Sequence, residues 1–124
     1  MTSTPKILQL DCYAGLSVGL ATLVLNSWLS DIYSLPSNLM LLIGFSNFAY
    51  GCFTFALIKT IDRSLSRIKT LSIANIFWWC FCLALLFIYH DSASILGRAH
   101  LVAESIFVGG LGCVEWVNRK HLLS

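Results

Sequence analysis

The sequence predicts an all-α membrane protein, an antiparallel four-helix transmembrane bundle with its N-terminus and C-terminus both in the cytoplasm. Apolar residues make up 57% of the 124 residues and charged residues only 11%. Soluble domains contain about 45–50% and about 25%, respectively. The charges are clustered between long uncharged runs, and the Lys and Arg residues fall on alternate connections. We therefore expect residues 1–124 to form one membrane domain.

The spans are predicted in order at residues 12–31, 38–58, 70–89 and 99–118. A helix of about 20 residues rises ~30 Å, which is the thickness of the hydrocarbon core. The fourth span reaches this length only if Glu104 lies within it. No small-residue cleavage site follows the first span, so we interpret it as a retained helix and not as a signal peptide.

The basic residues predict the orientation of the bundle. With both chain ends inside, every Lys and Arg except Arg98 lies on the inner side: Lys6, Lys59, Arg63, Arg67, Lys69, Arg119 and Lys120. This bias is typical of cytoplasmic loops and argues against a dual-topology dimer. We predict a multi-pass protein of the bacterial inner membrane. The net charge of +2 is explained by these loops, so no nucleic-acid partner is expected.

Small and polar residues recur at helical spacing in each span and predict the inward faces. Glycines at this spacing let helix backbones approach each other, and the predicted packing positions are Gly15, Gly19, Gly44, Gly51, Gly109 and Gly112. The polar positions predict a graded series of side chains through the bundle, consisting of Asn26, Asn47, Tyr50, Asn75, His100 and Glu104.

Glu104 is the residue that most needs explanation. Counting from the span ends places Glu104 and Asn26 at the same level, ~7–8 Å below the outer boundary, so we expect the two to pair. His100 precedes Glu104 by one helical turn and can share a proton or hydrogen bond with it. Two interpretations stay open: a functional carboxyl that binds a proton or cation, and a structural carboxyl that Asn26 locks between two helices. Glu115 is expected to form an ordinary boundary salt bridge with Arg119.

Other candidate sites are weaker. Trp78 and Trp79 could form an aromatic wall for an apolar or cationic ligand, although the sequence favours bulky core packing. Metal-ligand residue types occur near the outer end at His90, Asp91, His100 and Glu104, but no known ligand spacing joins them. We expect neither a metal nor a cofactor. An odd number of cysteines without a CxxC pair predicts no disulfide framework.

Three functions compete. The first is an oligomeric transporter or permeation unit for a proton, cation or small solute, with Glu104 as its site and His100 as the outer relay. The second is a non-catalytic accessory or assembly subunit of a larger membrane complex, which suits a small chain without motifs. The third is an apolar-ligand-binding protein or membrane enzyme. No catalytic motif is present, so the sequence favours a role other than catalysis. The expected partners are the lipid bilayer and either further copies of the chain or a larger complex.

Overall fold

The structure is a computed structural model that describes residues 6–60 and 63–123. Within these ranges the chain forms helices and no strand: α1 (Lys6–Val24), α2 (Asn26–Tyr33), α3 (Ser37–Lys59), α4 (Leu65–Ile88) and α5 (Ile95–Val117). All except α2 are long and apolar enough to cross a membrane. The all-helical class and the four candidate membrane spans predicted from the sequence are therefore confirmed.

The first predicted span, 12–31, is not one helix. The helix begins earlier, at Lys6, and is interrupted at Leu25, after which the short α2 starts at Asn26. The side chain of Asn26 donates through Nδ2 to the carbonyl of Leu23 at 2.8 Å. In an uninterrupted helix that carbonyl would accept the backbone N–H of residue 27. Because the amide side chain competes for this carbonyl, Asn26 favours the break.

The last two long helices also begin earlier than predicted. The hydroxyls of Ser64 and Ser94 accept the backbone N–H of Arg67 and Gly97 and thereby cap α4 and α5. Both helices thus extend past the charged residues Lys69 and Arg98, which bound the predicted spans. With α5 starting at Ile95, Glu104 lies ~13 Å along the helix, much nearer the middle of the bundle than the sequence count implied.

The long helices pack as two tight pairs, α1 with α3 and α4 with α5. The close approach depends on glycines. A Cβ added to Gly15 would lie 2.8 Å from the carbonyl oxygen of Asn47, and one added to Gly51 would lie 2.6 Å from the backbone nitrogen of Leu16. Between the pairs, α1 contacts α5 and α3 contacts α4 only sparsely. The molecule therefore consists of two firmly packed halves with a looser junction between them.

The predicted packing glycines all lie against a neighbouring helix. Within the first pair, Gly19 lies against Phe48 and Gly44 against Leu23. Within the second pair, a Cβ added to Gly109 would lie 2.9 Å from the Trp79 ring. A Cβ added to Gly112 would lie 2.8 Å from the Ile76 side chain.

One end of the bundle, called the Tyr33 end below, holds α2 and the start of α5. The backbone N–H of Ser94 donates to the carbonyl of Tyr33 at 2.9 Å and joins these elements. At the opposite end, called the Arg63 end, a buried cluster packs around the chain segment that follows α5: Leu8, Leu57, Ile68, Leu71 and Leu122.

Arg63 organises its end of the bundle. The side chain is 8% exposed, and its guanidinium donates to the carbonyls of Leu57, Ile58 and Leu122. Its backbone N–H donates to the carbonyl of Leu123 at 2.9 Å. Leu57 and Ile58 belong to the last turn of α3, where carbonyls lack the usual helical donor four residues on. Arg63 donates to both, adding to the Thr60 N–H that also reaches the Leu57 carbonyl, and ties the end of the chain to this turn.

Candidate functional site

Glu104 is held in a cage of hydrogen-bond donors. Its side chain is 8% exposed. His100 Nε2 lies 3.0 Å from Oε1, Asn47 Nδ2 lies 3.2 Å from both oxygens, and Trp78 Nε1 and the Cys82 thiol donate to Oε2. These partners come from α3, α4 and α5. An ionised carboxylate can only accept hydrogen bonds, so a ring of donors on both oxygens matches its requirements.

Tyr33 extends this network towards its end of the bundle. The Tyr33 hydroxyl lies 3.1 Å from His100 Nδ1, and the two ring centroids are 5.2 Å apart. Burial, and after it the Glu104 carboxyl, raises the pKa of Tyr33 above its usual value, so its hydroxyl keeps its proton at neutral pH. A hydroxyl that donates to Nδ1 leaves the imidazole proton on Nε2, directed at Glu104. Tyr33, His100 and Glu104 therefore form a hydrogen-bonded chain into the bundle.

A second acidic level lies closer to the Arg63 end. Asn75 Nδ2 donates to Asp11 Oδ2 at 3.0 Å and to Glu115 Oε1 at 2.7 Å. These side chains are almost entirely buried, with Glu115 at 0% and Asp11 at 4% exposure. The second oxygen of Glu115, Oε2, is buried without a hydrogen-bond partner among the described residues. Two neighbouring acids thus share one amide, and they need another proton donor to satisfy them both.

The predicted salt bridge between Glu115 and Arg119 is wrong. Glu115 points into the bundle, while the Arg119 guanidinium lies 4.6 Å from the centre of the Trp116 ring and donates to the Trp116 carbonyl at 2.7 Å. The reason is that α5 places residue 115 on the same inward face as Leu111 and Gly112, which are both buried. A position near a helix end is not enough to keep a side chain in water when that face is covered.

One cavity of about 390 Å³ joins the two acidic levels. It lies at the junction between the helix pairs and extends from His100, Glu104 and Asn47 to Asp11 and Asn75. Glu104 and Glu115 are separated by about 16 Å along α5. The remaining lining residues are mostly apolar: Ala14, Gly15, Val18, Tyr50, Ala103, Phe107, Val108 and Leu111.

The exposed lining residues indicate that the cavity opens sideways, between α1 and α5. These two helices make only sparse contact, and the opening is bordered by Val18 and Ala103, which are both exposed. Where the helices cross a membrane, this opening would face the lipid or a neighbouring protein.

A second cavity of about 450 Å³ lies on the opposite side, between α3 and α4, and its lining includes Tyr50 and Trp78. Tyr50 closes the space between the cavities by donating to the Ala74 carbonyl at 3.1 Å. No carboxyl group lines this second cavity within the described ranges, and its wall is mainly aromatic and aliphatic. Among the residues that line the two cavities, the carboxyl groups therefore all belong to the first cavity.

Asn26 does not pair with Glu104, and that prediction is wrong. Asn26 donates to Leu23 and accepts a hydrogen bond from the Ser37 hydroxyl at 3.2 Å. Glu104 instead accepts hydrogen bonds from Asn47 on α3. The difference arises because α5 begins before the predicted span, so that Glu104 lies further along its helix.

The two tryptophans have different environments. Trp78 is 4% exposed and contacts Glu104, whereas Trp79 is 38% exposed and packs on Gly109. They do not form one aromatic wall, because successive helix positions point about 100° apart.

The weak metal candidates are not gathered into one site. His90 and Asp91 lie 3.3 Å apart in an exposed connection, while His100 and Glu104 face the cavity. Across residues 6–60 and 63–123, no group of three or more His, Cys, Asp or Glu side chains is placed to hold a metal ion.

Asp11 is a site residue that the sequence analysis missed, since the first predicted span begins after it, at residue 12. The sequence does contain a signal that Asp11 faces inward. Asp11 lies one turn before Gly15 and continues the inward line through Gly19 and Thr22, all of which are buried. Extending the small-residue face by one turn would have placed an acid inside the bundle.

Comparison with protein-family models, with curated proteins and with solved structures finds no match for this chain.

Proposed function

We propose that this chain is a small transporter or permeation unit that moves a proton or another cation across the bacterial inner membrane. The observation that carries the proposal is the single cavity lined by Glu104 at one level and by Asp11 at the other. Carboxyl groups inside a membrane are costly and mark ion and proton pathways. Two such levels joined by one cavity provide successive binding positions along a path.

The proposed path begins at the Tyr33 end. A proton passes along the hydrogen-bonded chain of Tyr33 and His100 to Glu104, because imidazole can accept a proton on one nitrogen while it releases one from the other. From Glu104 the cavity leads past Asn47 to Asp11 and Asn75. Glu115, which is hydrogen-bonded to Asn75, completes the path towards the Arg63 end.

The two helix pairs supply a means of opening and closing this path. Within each pair the glycine contacts are too close to slide easily, so each pair moves as a unit. At the cavity, the halves are joined by polar contacts from Asn47 to Glu104 and from Asn75 to Asp11. A cation or proton that neutralises Glu104 weakens its bond to Asn47 and loosens the junction at that level.

The proposed arrangement in the membrane is antiparallel, with both chain ends and the Arg63 end in the cytoplasm. The basic residues near that end support this orientation through the positive-inside rule. We also propose a homo-oligomer, because four helices surround the path with only a thin wall in one copy. Further copies can support that wall without covering the opening between α1 and α5.

The test is proton flux in liposomes. Purified protein is reconstituted with a pH-sensitive dye inside the vesicles, and a potassium gradient with valinomycin drives proton entry. The wild type should acidify the lumen, and Glu104→Gln should slow this flux by about tenfold or more, as expected for loss of a proton-carrying group. Asp91→Asn makes the same chemical change in an exposed connection and should behave as the wild type. Equal flux in Glu104→Gln and wild type would contradict the proposal.

The second candidate, a non-catalytic accessory subunit, is favoured by the donor cage itself. Asn47, Trp78 and His100 satisfy Glu104 from three helices, as they would in a purely structural cross-link. This role predicts co-purification with a larger membrane complex, together with unchanged function of that complex when a folded Glu104→Gln variant replaces the wild type.

A further inference from the structure

The cavity between the helix pairs combines two properties that together specify a ligand. Its walls are mostly apolar, and its charged side chains are acids, Glu104 and Asp11. None of the Lys and Arg side chains in the described ranges lines it. A carboxylate in such a space attracts a positive charge strongly, because the mostly apolar walls screen it less than bulk water does.

The hydrogen bonds of Glu104 narrow the class of cation. Both of its oxygens already accept from protein donors: His100 and Asn47 at Oε1, and Asn47 and Trp78 at Oε2. Hydrogen-bond donors for Glu104 are therefore already in place. A ligand can add a permanent positive charge, which no Lys or Arg in the described ranges supplies to this cavity. A small hard cation such as Ca²⁺ needs six to eight oxygen ligands, which the cavity does not supply. A bulky cation with a delocalised charge needs no oxygen ligands.

The size and position of the cavity are suitable for a bulky cation with a delocalised charge. Its volume of about 390 Å³ falls within the range of ~300–1,000 Å³ typical of small-molecule sites. Aromatic rings of Tyr50 and Phe107 line it and can contact a cation through their faces. The opening past Val18 and Ala103 leads sideways, so an apolar molecule dissolved in the bilayer could enter without crossing the polar ends of the bundle.

We infer that this cavity binds a hydrophobic organic cation, which enters from the lipid between α1 and α5 and places its charge at Glu104. The inference names the substrate class for the transport role proposed above and rests on that role. The ligand has an apolar body of aromatic or aliphatic groups and a permanent or delocalised positive charge.

Tetraphenylphosphonium is a suitable probe, and tetraphenylborate is its control with nearly the same shape and the opposite charge. Binding is measured by equilibrium dialysis against protein in lipid nanodiscs, with empty nanodiscs subtracted. The wild type should bind tetraphenylphosphonium saturably and should not bind tetraphenylborate above the empty discs. Equal binding of both ions, or no binding above empty discs, overturns the inference.

Variants locate the site. Glu104→Gln removes the charge and Ala103→Phe fills the opening, and each should weaken tetraphenylphosphonium binding by about tenfold or more. Ala84→Phe makes the same change at an exposed position of α4 outside both cavities and should bind as the wild type. If Glu104→Gln does not fold, Glu104→Asp keeps the charge and should retain binding, while Ala103→Phe carries the test. Unchanged affinity in a folded Glu104→Gln or Ala103→Phe variant overturns the inference.

Flux measurements separate this inference from the proposed function. Proton flux that depends on Glu104, without binding of tetraphenylphosphonium, would contradict the inference and support the transport role. If tetraphenylphosphonium binds at Glu104 but neither protons nor the probe cross the membrane, the inference is supported and the transport role is contradicted.

Discussion

Asn47 on α3 donates from Nδ2 to both carboxylate oxygens of Glu104 on α5, at 3.2 Å each. The two residues belong to different helix pairs, so this contact crosses the junction between the halves of the molecule. At the other end of the same cavity, Asn75 on α4 reaches Asp11 on α1. An amide therefore bridges the halves at each acidic level, and the predictions below test these bridges and the packing around them.

Replacing Asn47 with Leu should destabilise the fold by about 1–3 kcal/mol, because Glu104 loses a donor in a buried setting. The measurement is the free energy of unfolding in mixed micelles, followed by far-UV circular dichroism. Asn118→Leu is the matched control, since Asn118 donates only to Val114 in its own last turn and its loss should cost less than about 0.5 kcal/mol. Equal effects of the two substitutions would show that Asn47 does not bridge the helix pairs.

The stability of the fold should change in opposite directions when an acid is added at Asn75 and when one is removed at Glu115. Asn75→Asp replaces the shared donor with a third carboxyl between Asp11 and Glu115, and it should cost about 3 kcal/mol or more. Glu115→Gln removes one of two neighbouring acids and supplies an amide donor beside Asp11, so its stability should equal or exceed that of the wild type.

Both variants of this acidic level are compared by unfolding in the same micelles at neutral pH. A Glu115→Gln protein that is less stable than wild type by more than about 1 kcal/mol would contradict the placement of two acids around one amide.

The sequence predicted the number of spans because each apolar run is long enough to cross a bilayer. It predicted the contact of His100 with Glu104 because positions one turn apart share a helix face, and the structure has it at 3.0 Å. The partner of Glu104 on another helix was missed. The predicted depths depend on the span ends, and several of these ends are set at charged residues. Because α1, α4 and α5 continue past such residues, the predicted depths along these helices are wrong.

The break at Leu25 lay beyond sequence reasoning for a different reason. On propensity alone, apolar residues such as Val24 and Leu25 would continue the helix, but here they precede an Asn whose side chain takes a backbone carbonyl of the same turn. Propensity does not indicate which asparagine will compete with its own helix. Asp11, in contrast, could have been found by extending the line of small residues by one turn.

Gly19→Ala should destabilise the α1–α3 pair, because the added methyl group would meet the backbone nitrogen and Cα of Phe48, neither of which can move without shifting the helix. Gly110→Ala is the matched control, since a Cβ at Gly110 meets nothing within 4 Å. Alanine is the better helix former by about 1 kcal/mol, so Gly110→Ala should be neutral or stabilising.

Thermal unfolding in one detergent compares the two glycine variants directly. A Gly19→Ala protein as stable as Gly110→Ala would contradict the close approach of α1 to α3.

Arg63→Met should release the end of the chain, because the guanidinium no longer joins the last turn of α3 to the carbonyl of Leu122. Amide hydrogen exchange followed by mass spectrometry should show faster exchange over residues 118–123. Arg67→Met serves as the control at an exposed position of the same basic end and should leave exchange there unchanged. Equal protection in Arg63→Met and wild type would show that Arg63 does not anchor this segment.

The central claim, that Glu104 faces an accessible cavity while Glu115 is sealed inside the bundle, can be measured in a lipid bilayer. Glu104 and Glu115 are the only glutamates in the sequence, so ¹³C-glutamate labelling gives two side-chain carboxyl signals, which Glu115→Gln assigns. Solid-state NMR then records the transfer of magnetisation from water to each carboxyl. We predict faster transfer to Glu104 than to Glu115. Transfer to Glu104 that is as slow as transfer to Glu115, or slower, would contradict the account.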